Sequence, residues 1–401
     1  MAGGGDGRLR TLADVAIDGR RIFLRADLNV PIADDGEVAD AARIDAMLPT
    51  LRRLVDHGAA VVVASHLGRP KGKAVAALSL APVARALGAR LGRPVPLAPA
   101  ATGPEVHKAV AALAGGDVLL LENLRFDPRE EKDDPAFAGE LAAGLDLLVN
   151  DAFGAVHRAH ASVHALAAVL PSVAGLLVER EVQALGRLLA AERPFVVVLG
   201  GAKVADKLAM LDALATRADR LAVGGGMANT FLLAKGVRLG RSLVEPDRLE
   251  DARRLLERLG DRLVLPVDLV VGAGPDDALP RVVPADGVGE ADMALDVGPE
   301  SRRRFAQALA GARTVFWNGP MGMFERPPFR AGTEAMARAV ASLPGAFTVV
   351  GGGDSVAALN QMALAERIGH VSTGGGASLE FVEGRELPGL SALGYRAPVP
   401  A

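Results

Sequence analysis

The sequence predicts an α/β protein with two doubly wound parallel-sheet domains joined by a helix. Short Val, Leu and Ile runs alternate with amphipathic segments along all 401 residues, the pattern of parallel strands covered by helices on both faces. Several of these runs end in glycine-rich turns where a strand hands over to a helix. Near the middle, Val173, Leu176, Leu177, Val182, Leu185, Leu188 and Leu189 share helical spacing in one long stretch, which suits a stiff connector between two lobes.

In the first half the strand-like runs are residues 21–26, 60–64, 118–121 and 145–149, with helical spacing over 44–55, 80–91, 104–113 and 135–143. The second half repeats the alternation, with strands expected at 195–199, 220–223, 263–265, 269–271, 314–317, 347–350 and 370–372. The expected division is a first domain over 1–172, a linker helix over 173–192 and a second domain over 193–387. The Pro- and Gly-punctuated tail 388–401 is expected to return to the first domain, and the glycine-rich residues 1–7 to form a mobile tail.

Composition removes several classes. The net charge is −3, so nothing pushes the chain toward nucleic acid electrostatically. One Trp and one Tyr supply no stacking platform for single strands. The absence of cysteine excludes disulfides, thiolate zinc sites and cysteine nucleophiles. No signal-peptide core and no apolar run of about eighteen residues occurs. The expectation is a cytoplasmic protein without nucleic-acid or membrane partners.

Open α/β sheets bind ligands beyond the carboxyl ends of their strands, so the residues after each strand carry the functional reading. In the first half these are Asp27, Asn29 and Pro31, then Ser65-His66-Leu67-Gly68-Arg69-Pro70, Glu122-Asn123-Leu124-Arg125, and Asn150 to Gly154 followed by His157-Arg158 and His160. Arg43 opens the helix after the first strand. Guanidinium groups grip carboxylate and phosphate through paired N–H donors. A rim of Arg69, Arg125, Arg158, His66 and His157 with no matching acidic cluster implies a small, multiply negative ligand.

The second half offers three glycine-rich strand ends of one kind: Gly200 to Lys207, Gly351 to Ser355 and Thr373 to Ser378. Glycine at such a turn lets backbone N–H groups close on an anion. Lys203 and Lys207, four apart, reach one phosphate if a helix starts near Val204. Asp354 is either an N-cap or a metal ligand, and Mg²⁺ in phosphoryl-transfer sites takes few protein carboxylates. Trp317 to Glu325 is turn-rich after a strand, with a glutamate suited to ribose hydroxyls. Gly224-Gly225-Gly226 lets either a ligand or a neighbouring element approach closely.

These segments, in order and over nearly the whole chain, resemble the phosphoglycerate kinase family: Arg25 to Pro31, Arg43-Ile44, Ser65 to Pro70, Glu122 to Phe126, Asp151 to Gly154, His157 to Ser162, Gly200 to Lys207, Trp317 to Glu325, Gly351 to Ser355 and Thr373 to Leu379. The resemblance implies two Rossmann-like α/β domains with a cleft between them in a hinge-bending monomer. It implies reversible, Mg²⁺-dependent phosphoryl transfer from 1,3-bisphosphoglycerate to ADP, giving 3-phosphoglycerate and ATP in glycolysis. By the same resemblance Asp27, Asn29, Arg43, His66, Arg69, Arg125 and Arg158 hold the phosphoglycerate. Lys203, Lys207, Asn318, Glu325, Gly352, Gly353, Asp354 and Ser355 hold the nucleotide, with Asp354 on the metal. Arg43, Lys203, Lys207, Gly353 and Gly376 serve the transfer itself.

Ala26, Leu28 and Ala294 depart from common family choices, the last near the nucleotide. Two rival readings stay open: another acyl-phosphate kinase, and a non-catalytic nucleotide-binding relative. The presence of Arg43, Lys203, Lys207 and Asp354 together speaks against lost chemistry.

Overall fold

The structure is a computed structural model that describes residues 7–396; residues 1–6 and 397–401, parts of the two expected tails, lie outside the described residues. The chain forms two compact units, residues 1–183 with 385–401, and residues 184–384.

The first unit is built on five strands, β1 (Arg21–Ala26), β2 (Ala60–Ala64), β3 (Val118–Leu120), β4 (Leu147–Asp151) and β5 (Ser172–Ala174). They pair in parallel in the order β3-β2-β1-β4-β5. Helices α1 (Ala42–Asp56), α2 (Ala81–Leu91), α3 (Pro104–Ala111), α4 (Pro135–Leu141) and α5 (Ala165–Val169) cover it. Strand residues point alternately to opposite faces, and here both faces are apolar. Ile22, Leu24, Val61, Val63, Leu147 and Val149 pack with Ile44, Met47, Leu51 and Leu54 of α1. Phe23, Val62, Leu119 and Leu148 pack on the other side with Phe137, Leu141 and Leu166. The three- and four-residue spacing of the α1 core side chains fixes that helix's rotation, and so fixes where Arg43 in its first turn emerges.

α6 (Leu176–Leu189) follows, and the division between the units falls inside it. The linker helix expected from residue 173 is shorter. Ser172–Ala174 pairs with β4 as an edge strand, with Val173 buried in the core on the α1 side of the sheet. α14 (Pro388–Ala392) belongs to the first unit, where the Gly389 N–H donates to the Val156 carbonyl at 2.8 Å and the Arg10 N–H to that of Leu393 at 3.0 Å.

The second unit carries β6 (Phe195–Leu199), β7 (Arg220–Val223), β8 (Leu263–Val264), β9 (Asp268–Gly272), β10 (Arg281–Pro284), β11 (Met293–Val297), β12 (Thr314–Asn318), β13 (Phe347–Gly351) and β14 (His370–Val371). Six of these form a parallel sheet in the order β14-β13-β12-β6-β7-β8. Its helices are α7 (Leu208–Ala215), α8 (Gly225–Ala234), α9 (Leu249–Leu259), α10 (Pro299–Leu309), α11 (Ala331–Ala341), α12 (Gly353–Gln361) and α13 (Gly376–Val382). The remaining strands form an antiparallel sheet, β10-β9-β11. This second sheet is absent from the sequence expectation, which places 269–271 among the parallel strands. Its Leu269 and Val271 pack with Leu232 of α8 instead.

In both parallel sheets the strand order reverses between two neighbours, β1 and β4 in the first unit and β6 and β12 in the second. Chain connections leave such a pair in opposite directions and open a crevice at its carboxyl end. In the second unit the crevice floor is knitted from backbone. The Gly200 N–H donates to the Asn318 carbonyl at 3.0 Å, that of Gly201 to Pro320 at 2.9 Å, and that of Gly225 to Met321 at 3.0 Å. A Cβ at Gly319, where φ is +94°, would lie 2.3 Å from the Gly200 carbonyl oxygen. No side chain fits there. Gly319→Ala is expected to destabilise the second unit by about 3 kcal/mol or more through overlap and a strained φ. Gly186→Ala, inside α6 with open space around it, should instead raise stability by about 0.5–1 kcal/mol. Thermal unfolding followed by fluorescence of Trp317, whose indole N–H donates to the Gly319 carbonyl at 2.8 Å, reads the first effect, and circular dichroism the second.

Candidate functional sites

The first unit gathers cations at the carboxyl ends of β1, β2 and β4. Asp27, just past β1, pairs with Arg43 from α1. Gly154 makes room for that pair, since a Cβ there would lie 2.4 Å from the Asp27 carboxylate. Asn29 accepts the Gly68 N–H at 2.8 Å, and the Arg125 guanidinium donates to the Gly68 carbonyl at 2.8 Å. The loop after β2, which presents His66 and the exposed Arg69, is thus held from both sides. Arg158 donates to the ring of His157 at 3.2 Å. Burial together with Arg25, Arg125 and Arg43 holds His66 well below the usual imidazole value. Burial with Arg125, Arg25 and Arg158 lowers His160 to about 4. Both rings are therefore neutral at physiological pH. Arg25 and Arg125 act on both rings.

Two groups here escape the sequence reading. Arg25 is fully buried under the rim; it donates to Ser162 Oγ at 2.8 Å and approaches His66 Nδ1 at 3.4 Å. Glu130, also fully buried, accepts from the Ser162 hydroxyl at 2.5 Å and from its N–H at 2.9 Å. The signal for Arg25 was a second charge, after Arg21, inside a strand whose other residues are apolar. The sequence reading gives the rim no matching acidic cluster; in the structure one of its arginines, Arg125, lies 3.3 Å from Glu131, and beside the rim Arg43 pairs with Asp27 and Arg25 lies in the field of Glu130. Buried guanidinium groups need such partners to be stable before a ligand arrives.

In the second unit a cavity of about 440 Å³ opens beside the knitted loops. One wall is apolar, from Leu243, Leu269, Met293, Ala294 and Leu295, and Gly201, Gly225 and Gly226 border it with bare backbone. Glu325 and Asp354 stand at its polar margin. The Lys207 ammonium donates to the carbonyls of Gly200 at 2.7 Å and Asn318 at 3.0 Å, between the ends of β6 and β12. Ser355, fully buried, accepts the Gly319 N–H at 2.7 Å, which ties the start of α12 to the loop after β12. Gly352 precedes α12 with φ +89°, and Asp354 lies in its first turn rather than at the cap. Gly376 opens α13 after Gly375 at φ +54°.

The lysine loop differs from expectation. Residues Ala205–Lys207 form a 3₁₀ turn and α7 begins only at Leu208, so Lys203 precedes the helix instead of sharing its face with Lys207. The Gly200 and Gly201 amides go to neighbouring loops, not outward to an anion. Ala294, read from the sequence as near the nucleotide, does line the cavity; Leu243 and Leu269 were not visible in the sequence, because the segment before Glu245 and the antiparallel sheet supply them.

Asp296 of β11 forms part of the cavity lining. It accepts the Gly332 and Val297 N–H groups at 2.8 Å each, and a Cβ at Gly322 or Gly332 would lie 2.2 Å from its carboxylate. Burial outweighs these bonds and raises it to about 7. An aspartate raised in the folded state binds more protons than in the unfolded chain, so its contribution to stability is present below about pH 4 and is lost as pH rises through about 7. Wild type is expected to lose stability relative to Asp296→Asn across that window, by on the order of 4 kcal/mol in full. Denaturant unfolding followed at Trp317 checks the slope; parallel curves for the two proteins would contradict it.

Comparison with known proteins agrees with this architecture. The family profile described as phosphoglycerate kinase matches residues 12–385. The phosphoglycerate kinase of Moorella thermoacetica is 54% identical over 388 residues, covering 96% of this chain and 98% of its own. That of Thermus thermophilus is also 54% identical, over 395 residues, covering 96% of this chain and all of its own. The solved structure of phosphoglycerate kinase from Coxiella burnetii superposes with a TM-score of 0.87 at 39% identity, covering 98% of this chain and 100% of that one. The Pyrococcus horikoshii enzyme gives 0.86 at 34%, with 96% and 98% covered. Family match, full-length identity and shared fold together show that this chain belongs to the phosphoglycerate kinase family.

Proposed function

We propose that this chain catalyses reversible phosphoryl transfer between 1,3-bisphosphoglycerate and Mg-ADP, giving 3-phosphoglycerate and Mg-ATP, as a cytoplasmic monomer. The observation that carries the reading is one candidate site per unit, each at a strand-order reversal: a cation cluster in the first, and in the second a half-apolar cavity lined by Asp296, Glu325 and Asp354, with Lys207 on the adjoining loops. In this reading Asp27, Asn29, His66, Arg69, Arg125 and Arg158 hold the acid. The apolar wall takes the base, Glu325 the ribose, and Lys203, Lys207, Asn318 and the Gly352 to Ser355 turn the phosphates.

Among the described residues no three His, Asp or Glu side chains gather into a metal cage. A single carboxylate, Asp354, fits a magnesium ion that arrives with the nucleotide and takes its other ligands from phosphate oxygens and water. The ion then neutralises phosphate charge.

In the transfer, the bond from phosphorus to the acyl oxygen breaks as a bond to the terminal oxygen of ADP forms. The carboxylate departs with the bonding pair and no proton moves, so no general base is needed. Neutral His66 and His160 suit this: they hydrogen-bond without taking part in proton transfer. A metaphosphate-like group carries charge on its equatorial oxygens; in this reading Arg43 and Lys207 supply full positive charges to it, with Gly353 and Gly376 adding backbone N–H groups. Direct transfer also needs both substrates in one water-free site, so closure of the two units is part of the proposal.

A coupled assay of ATP consumption with 3-phosphoglycerate, glycerate and acetate tests the substrate. Turnover is expected with 3-phosphoglycerate alone; equal turnover with acetate would point to a different acyl-phosphate kinase, and none with any acid to a non-catalytic relative. Arg43→Ala should lower kcat about a hundredfold or more with a smaller change in KM. Steady-state kinetics giving wild-type kcat would remove Arg43 from the chemistry.

A further inference from the structure

The segment before Pro246 is tied to three neighbours: the strand that walls the cavity, α8 and the lysine loop. The Arg241 N–H donates to the Asp292 carbonyl at 2.8 Å, and the Ser242 hydroxyl accepts the Ala294 N–H at 2.8 Å, which fixes the segment to the strand that walls the cavity. The Asn229 amide donates to the Leu243 carbonyl at 3.2 Å, and Thr230 Oγ1 accepts the Glu245 N–H at 3.1 Å, which fixes it to α8. From this anchored position one oxygen of the Glu245 carboxylate accepts two successive amides of the lysine loop, those of Val204 and Ala205, the latter at 3.2 Å. The Lys207 N–H closes the same turn on the Val204 carbonyl at 3.0 Å. Val204 is fully buried, so the turn between the two lysines is pinned at its centre while Lys203 is left exposed.

We propose that Glu245 is a positioning residue for phosphoryl transfer: through the amides of Val204 and Ala205 it sets where Lys203 and Lys207 stand relative to the cavity. This rests on the reading of that cavity as the nucleotide site. Two adjacent N–H groups in a turn would otherwise attract an anion. Glu245 occupies them from within the protein, so the phosphates meet the lysine side chains rather than that stretch of backbone. A misplacement of about 1 Å in a group that acts on the transferring phosphoryl is enough to cost a large factor in rate. The need is for an oxygen acceptor at this point, more than for its charge.

The test compares Glu245→Ala, Glu245→Gln and Lys207→Ala by steady-state kinetics, with calorimetric titration of 3-phosphoglycerate and thermal unfolding on the same preparations. Glu245→Ala is expected to lower kcat about tenfold or more and to raise the nucleotide KM, with 3-phosphoglycerate affinity unchanged. Glu245→Gln, which keeps the acceptor oxygen, should recover kcat to within about threefold of wild type. Wild-type kcat and KM in Glu245→Ala would overturn the proposal. So would a Gln variant as impaired as Ala, or a loss in Ala matched by lost acid affinity and early unfolding. Lys207→Ala separates the two levels: full activity there would defeat the reading of the site itself, whatever the Glu245 variants do.

Discussion

The second unit's site depends on backbone packed against backbone. The loops after β6, β7 and β12 meet at distances that leave no space for a side chain at Gly200, Gly225 or Gly319. Amides and carbonyls of these loops satisfy one another across the gap, so the turn glycines serve first to let strand ends converge. The convergence brings a lysine, a buried serine and the first turn of α12 to one edge of an apolar cavity. A single Cβ at the wrong place would push these groups apart together, which is why the glycines sit where connections leave the sheet in opposite directions.

The first unit solves a different problem. Several guanidinium groups crowd one strand edge, and like charges brought so close would destabilise the fold in the absence of ligand. Carboxylates relieve this from beneath and beside: Glu130 through Ser162 near Arg25, Asp27 on Arg43, and Glu131 by Arg125. His66 and His160 relieve it further by remaining unprotonated. In the proposed reading, the oxygens of a phosphorylated acid replace some of these internal partners. The geometry suits recognition by several moderate contacts rather than by one deep pocket.

Much of the fold was legible because parallel strands buried on both faces read as short apolar runs, as Ala60–Ala64 and Phe195–Leu199 do. β5 was hidden because Val173 also fits the helical spacing that begins at Leu176. The antiparallel sheet was hidden because β10 is largely exposed and β11 carries a buried aspartate in its apolar run. At the sites, residues that follow a strand in sequence were visible. Those that act from a distance were not. Arg25 lies inside a strand, Glu130 lies in a run of charges that resembles a solvated surface, and Glu245 reaches a loop far away in sequence. Composition and local spacing report the ends of strands, while the partners that hold those ends in place are set by tertiary packing.

The central claim is that the two units divide the chemistry, the acid held by the cations of the first and the nucleotide by the knitted loops of the second. Amide hydrogen exchange with each ligand added singly tests it most directly. The account predicts that 3-phosphoglycerate slows exchange around residues 25–30, 66–69 and 152–160, and that Mg-ADP slows it around 200–208, 318–325 and 352–356. Protection of the same unit by both ligands, or of neither set of loops, would contradict it.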